Sequence, residues 1–268
     1  MNVREVTEIV LAQNGNIKIE NTCDQLIEGS WNNQVAGVVT TFMATVEVIR
    51  RTIEMRCNLI ITHEPTYFTG AGNLDWVKED PVYKMKTAFI KDNGISIWRY
   101  HDHTHFIQPD MIYAGLLKDL GWQNYLNTEL AFPYCYSIPS TSVIGLVNLL
   151  KKTLGMKVIR VVGDVDMECI RIGILVGYLS LGLGVEEMPA KLMREQQLDV
   201  IICGEITEFN LSAYVRDAAA LGLKKAIIII GHERSEGPGM KDIAGWLQPL
   251  LKTIPVHYIE SGEPFRYY

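Results

Sequence analysis

Histidine and carboxylate side chains are concentrated at three points of this chain. Five of the six histidines fall in three short stretches: THEP at 62–65, HDHTH at 101–105 and GHERSE at 231–236. Neutral imidazole is the commonest transition-metal ligand, and imidazole combined with carboxylate suits Zn, Fe, Mn or Ni. The three stretches therefore predict a transition-metal site, and the absence of cysteine from them argues against a structural zinc.

The histidine-rich stretch offers more than one set of ligands. An extended backbone would place His101, His103 and His105 on one face, with Asp102 on the other. Not all three imidazoles need bind metal, because two of them could orient a ligand or contact substrate.

The other two stretches each pair a histidine with a carboxylate. His63 and Glu64 are adjacent and would point to opposite faces of a strand. Both can bind metal only if the turn at Pro65 reorients one of them, or if they reach different ions. His232 and Glu236 are four residues apart, so a helix that starts here would carry both on one face.

The number of candidate ligands favours two ions over one. Five or more ligands exceed the three that the protein supplies to a single catalytic zinc. Two ions that share a carboxylate, about 3.5–4 Å apart as in two-metal hydrolases, fit the ligand set better.

Each stretch directly follows a predicted strand, and the strands alternate with helical patterns. The predicted strands that end at or near candidate residues are NLIITHE (58–64), ISIWRYH (95–101), DVIICGE (199–205) and KKAIIIIGHE (224–233). Alternating strands and helices form parallel sheets, in which the carboxyl ends of the strands make the ligand-binding edge. We therefore expect the fold to bring the three stretches to one side.

This alternation occurs in both halves of the chain and predicts two similar α/β domains. We expect the first domain to contain residues 1–131 and about 245–268, and the second to contain residues 132–244. The segment FPYCYSIPS at 132–140 is the predicted linker. The N-terminal residues predict a short amphipathic helix rather than a signal peptide.

Composition narrows the class of protein further. The chain has 268 residues and a net charge of −6, with no basic run and no apolar run of membrane-spanning length, so neither nucleic acid nor a membrane is a favoured partner. The five cysteines are scattered singly, which argues against disulfides or a cysteine-based zinc site. Cys57 and Cys203 border or lie in apolar strands and are predicted to be core thiols in a reducing cytoplasm.

Two carboxylates lie after the predicted strand DVIICGE. Glu205 or Glu208 could act as a general base or could orient a metal ligand, and the alternative is a helix-capping role. The glycine-rich VGYLSLGLG at 176–184 lacks the lysine of a phosphate-binding loop, and we interpret it as a tight turn.

Several of these blocks together resemble the NIF-three-like di-metal family, whose members often carry the name GTP cyclohydrolase 1 type 2 homolog. The matching blocks are LIITHEP, the His101 to His105 stretch, ICGEITE at 202–208 and GHERSE, and their order holds over nearly the full chain. The resemblance implies two α/β domains with a metal pair in the cleft between them, no large middle insertion, and a toroidal homohexamer built as a trimer of dimers.

Two positions depart from the family pattern. The family commonly has His-His-Pro where this chain has His63-Glu64-Pro65, and an aspartate where this chain has His105. The total of three imidazoles and two carboxylates is retained. The ligand set that the resemblance implies is His63, Glu64, His105, His232 and Glu236, with Asp102, His103 and His101 as alternatives.

The leading functional hypothesis is a metal-dependent hydrolase of a small nucleotide-like, phosphoester or amide substrate, with two divalent ions of Zn, Fe, Mn or Ni. One alternative is a non-catalytic metal-handling protein or a protein-interaction ring. Another is a pterin or nucleotide binder that holds only a structural metal.

Overall fold

The computed structural model describes residues 1–15, 17–70, 72–126 and 134–268. The chain divides into two compact units: unit 1 contains Met1–Gly115 and Gly237–Gly262, and unit 2 contains Leu116–Glu236 and Glu263–Tyr268. Among the described residues, each unit contains one five-stranded sheet. The predicted α/β fold with two domains of similar design is confirmed.

The units divide the chain at other places than the predicted domains. The division falls after Gly115, after Glu236 and after Gly262, compared with the predicted boundaries after 131 and about 244. Residues 132 and 133 of the predicted linker lie outside the described residues. The rest of the linker prediction is wrong, because Cys135–Ser142 forms an edge strand that pairs antiparallel with Glu168–Leu175. An edge strand tolerates a proline such as Pro139, which made the segment resemble a linker.

Unit 1 is built on a mostly parallel sheet with strand order β1-β4-β3-β2-β10. Only β1 runs antiparallel to its neighbour. The strands are β1 (Leu26–Glu28), β2 (Val38–Thr41), β3 (Leu59–Thr62), β4 (Ser96–Arg99) and β10 (Val256–Tyr258). Every residue of β2, β3 and β4 is buried, as expected for parallel strands covered on both faces.

Unit 1 also contains four complete helices among the described residues. They are α1 (Val3–Ala12), α2 (Val46–Glu54), α3 (Pro81–Asp92) and the short α4 (Asp102–His105). Asn2 and Glu5 close a capping box at the start of α1, and the predicted N-terminal helix is confirmed. A fifth helix, α5 (Met111–Leu120), begins in unit 1 and ends in unit 2.

Unit 2 is built on a sheet with strand order β5-β7-β8-β9-β6. The three central strands are parallel, and the two edge strands are antiparallel to their neighbours. The strands are β5 (Cys135–Ser142), β6 (Arg160–Gly163), β7 (Glu168–Leu175), β8 (Val200–Cys203) and β9 (Ala226–Ile229). Its remaining helices are α6 (Val143–Leu154), α7 (Met188–Glu195), α8 (Ala213–Ala220) and the start of α9 (His232–Leu251).

Helix α9 differs most from the sequence-based prediction. The C-terminal pattern MKDIAGWLQPLLKTI at 240–254 predicts a helix that Pro249 kinks or ends, whereas the helix begins at His232 and continues through Pro249 to Leu251. Pro238 lies within the first two turns, and Gly231 before the helix has a left-handed φ of 91°. Gly231 therefore allows the tight turn from β9 into the helix.

The strand ends of each unit position the candidate residues. In unit 1, β3 and β4 are parallel neighbours whose carboxyl ends lead to His63 and His101. In unit 2, β7, β8 and β9 are parallel and lead to Gly177, Glu205 and His232. Among the described residues, no helix combines the length and apolar character needed to cross a membrane.

Candidate metal centre

Three histidines of unit 1 converge at the carboxyl ends of β3 and β4. One ligand atom from each of His63, His101 and His105 lies within 4.8 Å of the others. The His63 and His101 rings stack with their centroids 4.5 Å apart, and the His105 ring lies edge-on to both at 5.1 and 5.0 Å. These three imidazoles form the histidine group of unit 1.

The rings of His63 and His105 turn their Nε2 atoms toward each other. His63 Nδ1 donates to the Tyr100 carbonyl oxygen at 3.3 Å, and His105 Nδ1 donates to Asp110 Oδ2 at 2.9 Å. In a neutral imidazole, a proton on Nδ1 leaves a lone pair on Nε2. The two Nε2 atoms are 3.3 Å apart. Two facing lone pairs repel each other unless a cation or a proton lies between them, so these residues fit a metal ion.

His101 is the third imidazole of the group, and it also donates a hydrogen bond through Nδ1. Its Nδ1 donates to Asp102 Oδ1 at 2.9 Å, and its Nε2 lies 3.7 Å from Glu64 Oε1. Burial, the largest cause, and the charges that His63 and His105 carry when protonated together lower the pKa of His101 to about 4, although Glu64 and Asp102 raise it. The ring is therefore neutral at pH 7, which is the form that binds metal.

The backbone of the histidine-rich stretch is helical, whereas the sequence predicted an extended one. The stretch was expected to be extended, with His101, His103 and His105 on one face, but residues 102–105 form the helical turn α4. His101 and His105 are four residues apart and remain together, whereas His103 points elsewhere. Its Nδ1 lies 2.7 Å from Asp24 Oδ2, and its Nε2 lies 3.0 Å from the Ile17 carbonyl oxygen. Acceptors therefore engage both ring nitrogens of His103.

Asp24 is the physical reason for this helical turn. Its carboxylate accepts hydrogen bonds from the backbone N–H groups of His101, Asp102 and His103, at 2.6, 2.8 and 3.1 Å. A carboxylate that satisfies the N–H groups at the start of a helix stabilises it. Asp24 comes from a loop nearly eighty residues earlier, so local spacing gave no sign of it.

The carboxylate of Asp102 is also held from the loop that contains Asp24. Asp102 Oδ2 accepts from the Cys23 backbone N–H at 2.8 Å and from Thr22 Oγ1 at 2.9 Å. Burial raises the pKa of Asp102, but the hydrogen bonds from Cys23, His101 and Thr22 outweigh burial and lower it well below its usual range. Asp102 is therefore ionised and holds the proton of His101 on Nδ1.

A second group lies in unit 2 at the start of α9. His232 Nε2 is 3.0 Å from Glu236 Oε2, and the two residues share one helix face as the four-residue spacing predicted. His232 Nδ1 donates to Glu205 Oε1 at 2.8 Å, so Glu205 fixes the orientation of the ring. The close approach of Nε2 to a carboxylate fits either a shared proton or a shared cation. Glu208 is exposed in the π-helical turn Glu208–Ser212.

Gly177 packs directly against the His232–Glu236 pair. Its φ of +47° is in the left-handed region, and a Cβ atom here would overlap Glu236 Oε1 and lie 2.5 Å from His232 Nε2. Its backbone N–H donates to Ser235 Oγ at 2.9 Å. The glycine-rich segment interpreted as a turn therefore supplies one wall of this group.

Sequence reasoning missed three residues that shape the two groups: Asp24, Asp110 and Gly177. Asp110 carried a detectable signal, because an aspartate directly before a helix is a common N-cap. Its Oδ1 accepts from the backbone N–H groups of Ile112 and Tyr113, while Oδ2 holds His105. Asp24 and Gly177 act on residues more than fifty positions away and carried no local signal.

The fold and these two groups define an α/β protein of two sheet-containing units, with clustered histidine and carboxylate side chains that could hold metal ions. The chain belongs to the Duf34/NIF3 (NGG1p interacting factor 3) family, whose model matches residues 1–264. The resemblance inferred from the sequence blocks is thereby confirmed.

Relatives and solved structures agree with this membership. The chain is 25% identical over 257 residues to a "GTP cyclohydrolase 1 type 2 homolog" of Clostridium perfringens, with 90% of each chain covered. It is 22% identical to the protein of the same name from Clostridium acetobutylicum, with 90% of this chain and 89% of the relative covered. A Bacillus cereus protein related to NIF3 shares the fold with a TM-score of 0.77 at 16% identity, covering 100% of this chain and 99% of that one.

Proposed function

We propose that this protein binds two divalent transition-metal ions and acts as a metal-dependent hydrolase. The proposed ligands are His63, Glu64, His105, His232 and Glu236. The observation that carries the proposal is the 3.3 Å separation of His63 Nε2 and His105 Nε2, each on a ring whose Nδ1 donates to an oxygen. This arrangement turns two lone pairs toward the same point.

The side chains around the ligands support a metal-binding role. Asp110 and Glu205 accept from the Nδ1 atoms of His105 and His232, which is how carboxylates commonly fix the tautomer of a metal-binding histidine. The Arg99 guanidinium lies 3.9 Å from Glu64 Oε2, and its Nε donates to the His63 carbonyl oxygen at 3.3 Å. Arg99 therefore stabilises the negative charge of Glu64 and the backbone of the turn that follows β3.

Two divalent ions held by these residues would lower the pKa of bound water and would stabilise negative charge on the attacked centre. We propose Glu205 as a positioning residue, because its carboxylate is already engaged by His232. Glu208 is exposed and remains a candidate for proton transfer to or from solvent. A small nucleotide-like, phosphoester or amide substrate suits this chemistry, and the name of the Clostridium relatives agrees with a nucleotide-like one.

The hydrolase proposal is tested by turnover across nucleotide, phosphoester and amide panels. Metal-replete wild-type protein should hydrolyse at least one substrate class, and His232→Ala should abolish turnover while circular dichroism shows an unchanged fold. His257→Ala is the matched control, because His257 lies in β10 and outside both groups. Tight metal binding without turnover on any panel would contradict the hydrolase and favour a metal-handling protein.

We also propose that the chain assembles with copies of itself into a toroidal hexamer, built as a trimer of dimers. The support for this proposal is membership of the Duf34/NIF3 family and the resemblance found in the sequence. Sedimentation velocity should give a single species of six chains, and a monomer at micromolar concentration would contradict it.

A further inference from the structure

A third cluster of potential metal ligands lies beside the histidine group of unit 1. One ligand atom from each of Cys23, His101 and Asp102 lies within 4.8 Å of the others. Cys23 Sγ is 3.2 Å from Asp102 Oδ1, and His101 Nδ1 is 2.9 Å from the same oxygen. One carboxylate oxygen therefore accepts two hydrogen bonds, one from a thiol and one from an imidazole.

The three side chains are partly accessible and are held in place from outside the cluster. Each of them is neither fully buried nor fully exposed. Thr22 Oγ1 and the Cys23 N–H fix the other oxygen of Asp102. Asp24 holds the backbone N–H groups of His101 and Asp102. The ligand atoms are thus preorganised, which reduces the ordering cost of binding an ion.

The separations of these atoms suit a tetrahedral ion. An ion with metal–sulfur and metal–oxygen distances of about 2.3 and 2.0 Å holds sulfur and oxygen roughly 3.5 Å apart. The observed 3.2 Å between Cys23 Sγ and Asp102 Oδ1 requires a shift of only a few tenths of an ångström. Sulfur, nitrogen and oxygen would supply three ligands and leave the fourth position to water.

We infer that Cys23, His101 and Asp102 form a second metal position, distinct from the proposed hydrolytic ligand set, that takes a thiophilic ion such as Zn²⁺ or Cd²⁺. On binding, the thiol loses its proton to solvent and its sulfur bonds to the ion. The Nδ1 proton of His101 is replaced by one on Nε2, so the ring stays neutral. No oxidation state changes, and His101 Nε2 then faces Glu64 Oε1, 3.7 Å away.

The chemistry of the ligand atoms selects which ions can enter. Sulfur is a soft ligand that favours thiophilic ions such as Zn²⁺ and Cd²⁺, whereas hard ions bind oxygen ligands and water instead. Hard ions such as Mg²⁺ should leave Cys23 as a thiol.

Cadmium titration of the full-length protein tests this position directly, because a cadmium–thiolate bond gives an ultraviolet charge-transfer band. Wild-type protein should develop the band and saturate it at one thiolate per chain. Cys23→Ser should lose the band and bind one Cd²⁺ fewer. The matched control is Cys57→Ser, which removes a buried thiol of the same unit and should keep the band. No band in saturated wild-type protein, or a band that persists in Cys23→Ser, would overturn the inference.

A second measurement needs no variant and guards against misfolding of Cys23→Ser. Iodoacetamide labelling of Cys23 in wild-type protein, followed by peptide mass spectrometry, should slow by about tenfold or more when Zn²⁺ saturates the thiolate. An unchanged rate would refute the site. His232→Ala, designed against the hydrolytic ligand set, should keep the cadmium–thiolate band, so failure of one proposal is distinguishable from failure of the other.

Discussion

At the scale of single residues, each histidine of the two proposed metal-binding groups is oriented by an acceptor on its Nδ1 side. Asp110 shows how one residue serves both structure and site, since Oδ1 caps α5 and Oδ2 holds His105. Asp110→Asn can keep the cap through its carbonyl oxygen but cannot accept from His105 Nδ1 with its amide nitrogen.

We expect Asp110→Asn to weaken metal affinity by roughly 10–100-fold, the usual effect of removing the carboxylate behind a ligand histidine. Competition against a chromogenic chelator measures the affinity, and thermal unfolding of the metal-free protein reports the fold. Asp119→Asn, in the last turn of α5, is the control. Unchanged affinity in Asp110→Asn would show that His105 does not need this orientation to bind metal.

Gly177 makes a second prediction at this scale. Gly177→Ala places a methyl group against His232 Nε2 and Glu236 Oε1, so one of these side chains must move. The matched control is Gly184→Ala, which shares a positive φ but has open space around the new Cβ.

Both variants carry the cost of a left-handed alanine, about 1–2 kcal/mol, and Gly177→Ala adds an overpacking cost of about 1–3 kcal/mol. Urea unfolding should resolve this difference in the free energy of unfolding. Chelator competition should show weakened metal binding in Gly177→Ala alone. Equal behaviour of the two variants would mean that the contact with the His232–Glu236 pair is unimportant.

At the scale of elements, α4 exists because Asp24 satisfies its first N–H groups. Asp24→Ala leaves three backbone donors and His103 Nδ1 without their shared acceptor, which should lower the free energy of unfolding by about 1–3 kcal/mol. Because His101 precedes α4 directly and His105 ends it, this turn holds the two imidazoles together, and metal affinity should fall as well.

Asp80→Ala is the control for Asp24→Ala, since Asp80 caps α3 through the Val82 N–H but contributes nothing to either group. It should cost about 1 kcal/mol of stability and leave metal affinity unchanged. If Asp24→Ala keeps full affinity while unfolding more easily, α4 does not need to be helical for metal binding.

Helix α3 contains a lysine whose burial makes stability depend on pH. Lys86 is 6% exposed, its Nζ donates to the Thr66 carbonyl oxygen, and the rings of Tyr67 and Phe68 lie 5.7 and 5.5 Å away. Burial lowers the pKa of Lys86 from 10.5 to about 8. Between these values the unfolded chain binds more protons than the folded one, so this lysine makes the free energy of unfolding rise with pH.

The contribution of Lys86 is isolated by comparing wild-type protein with Lys86→Met. From pH 8 to pH 10, wild-type stability should rise relative to the variant by roughly 2 kcal/mol. The exposed Lys91→Met, in the same helix, should show no such trend. A pH-independent difference between wild-type protein and Lys86→Met would mean that the lysine keeps its ordinary pKa in the folded state.

Sequence reasoning succeeded where a property is local and failed where it is not. Apolar runs identified β3, β4, β8 and β9, and the four-residue spacing placed His232 and Glu236 on one helix face. The histidine-rich stretch was predicted to be extended, with side chains on alternating faces. This prediction was wrong because the distant carboxylate of Asp24 imposes a helical turn there. Cys57 and Cys203 are buried as predicted, whereas the contact of Cys23 with Asp102 depends on the same distant loop and carried no local signal.

At the scale of the whole molecule, the two units repeat one design, in which strand ends deliver histidines that neighbouring acceptors orient. Unit 1 places imidazoles after β3 and β4, and unit 2 places His232 after β9 with Glu205 after β8. Membership of the Duf34/NIF3 family accounts for the fold that both units share.

The central claim is that His63 and His232 belong to groups that bind metal ions. Elemental analysis of protein saturated with Mn²⁺, which has little affinity for thiolate, tests it most directly. We expect two ions per chain in wild-type protein and in His257→Ala, and fewer than two in His63→Ala and in His232→Ala. A wild-type protein that retains no ion after removal of excess metal, or ligand variants that retain both ions, would contradict it.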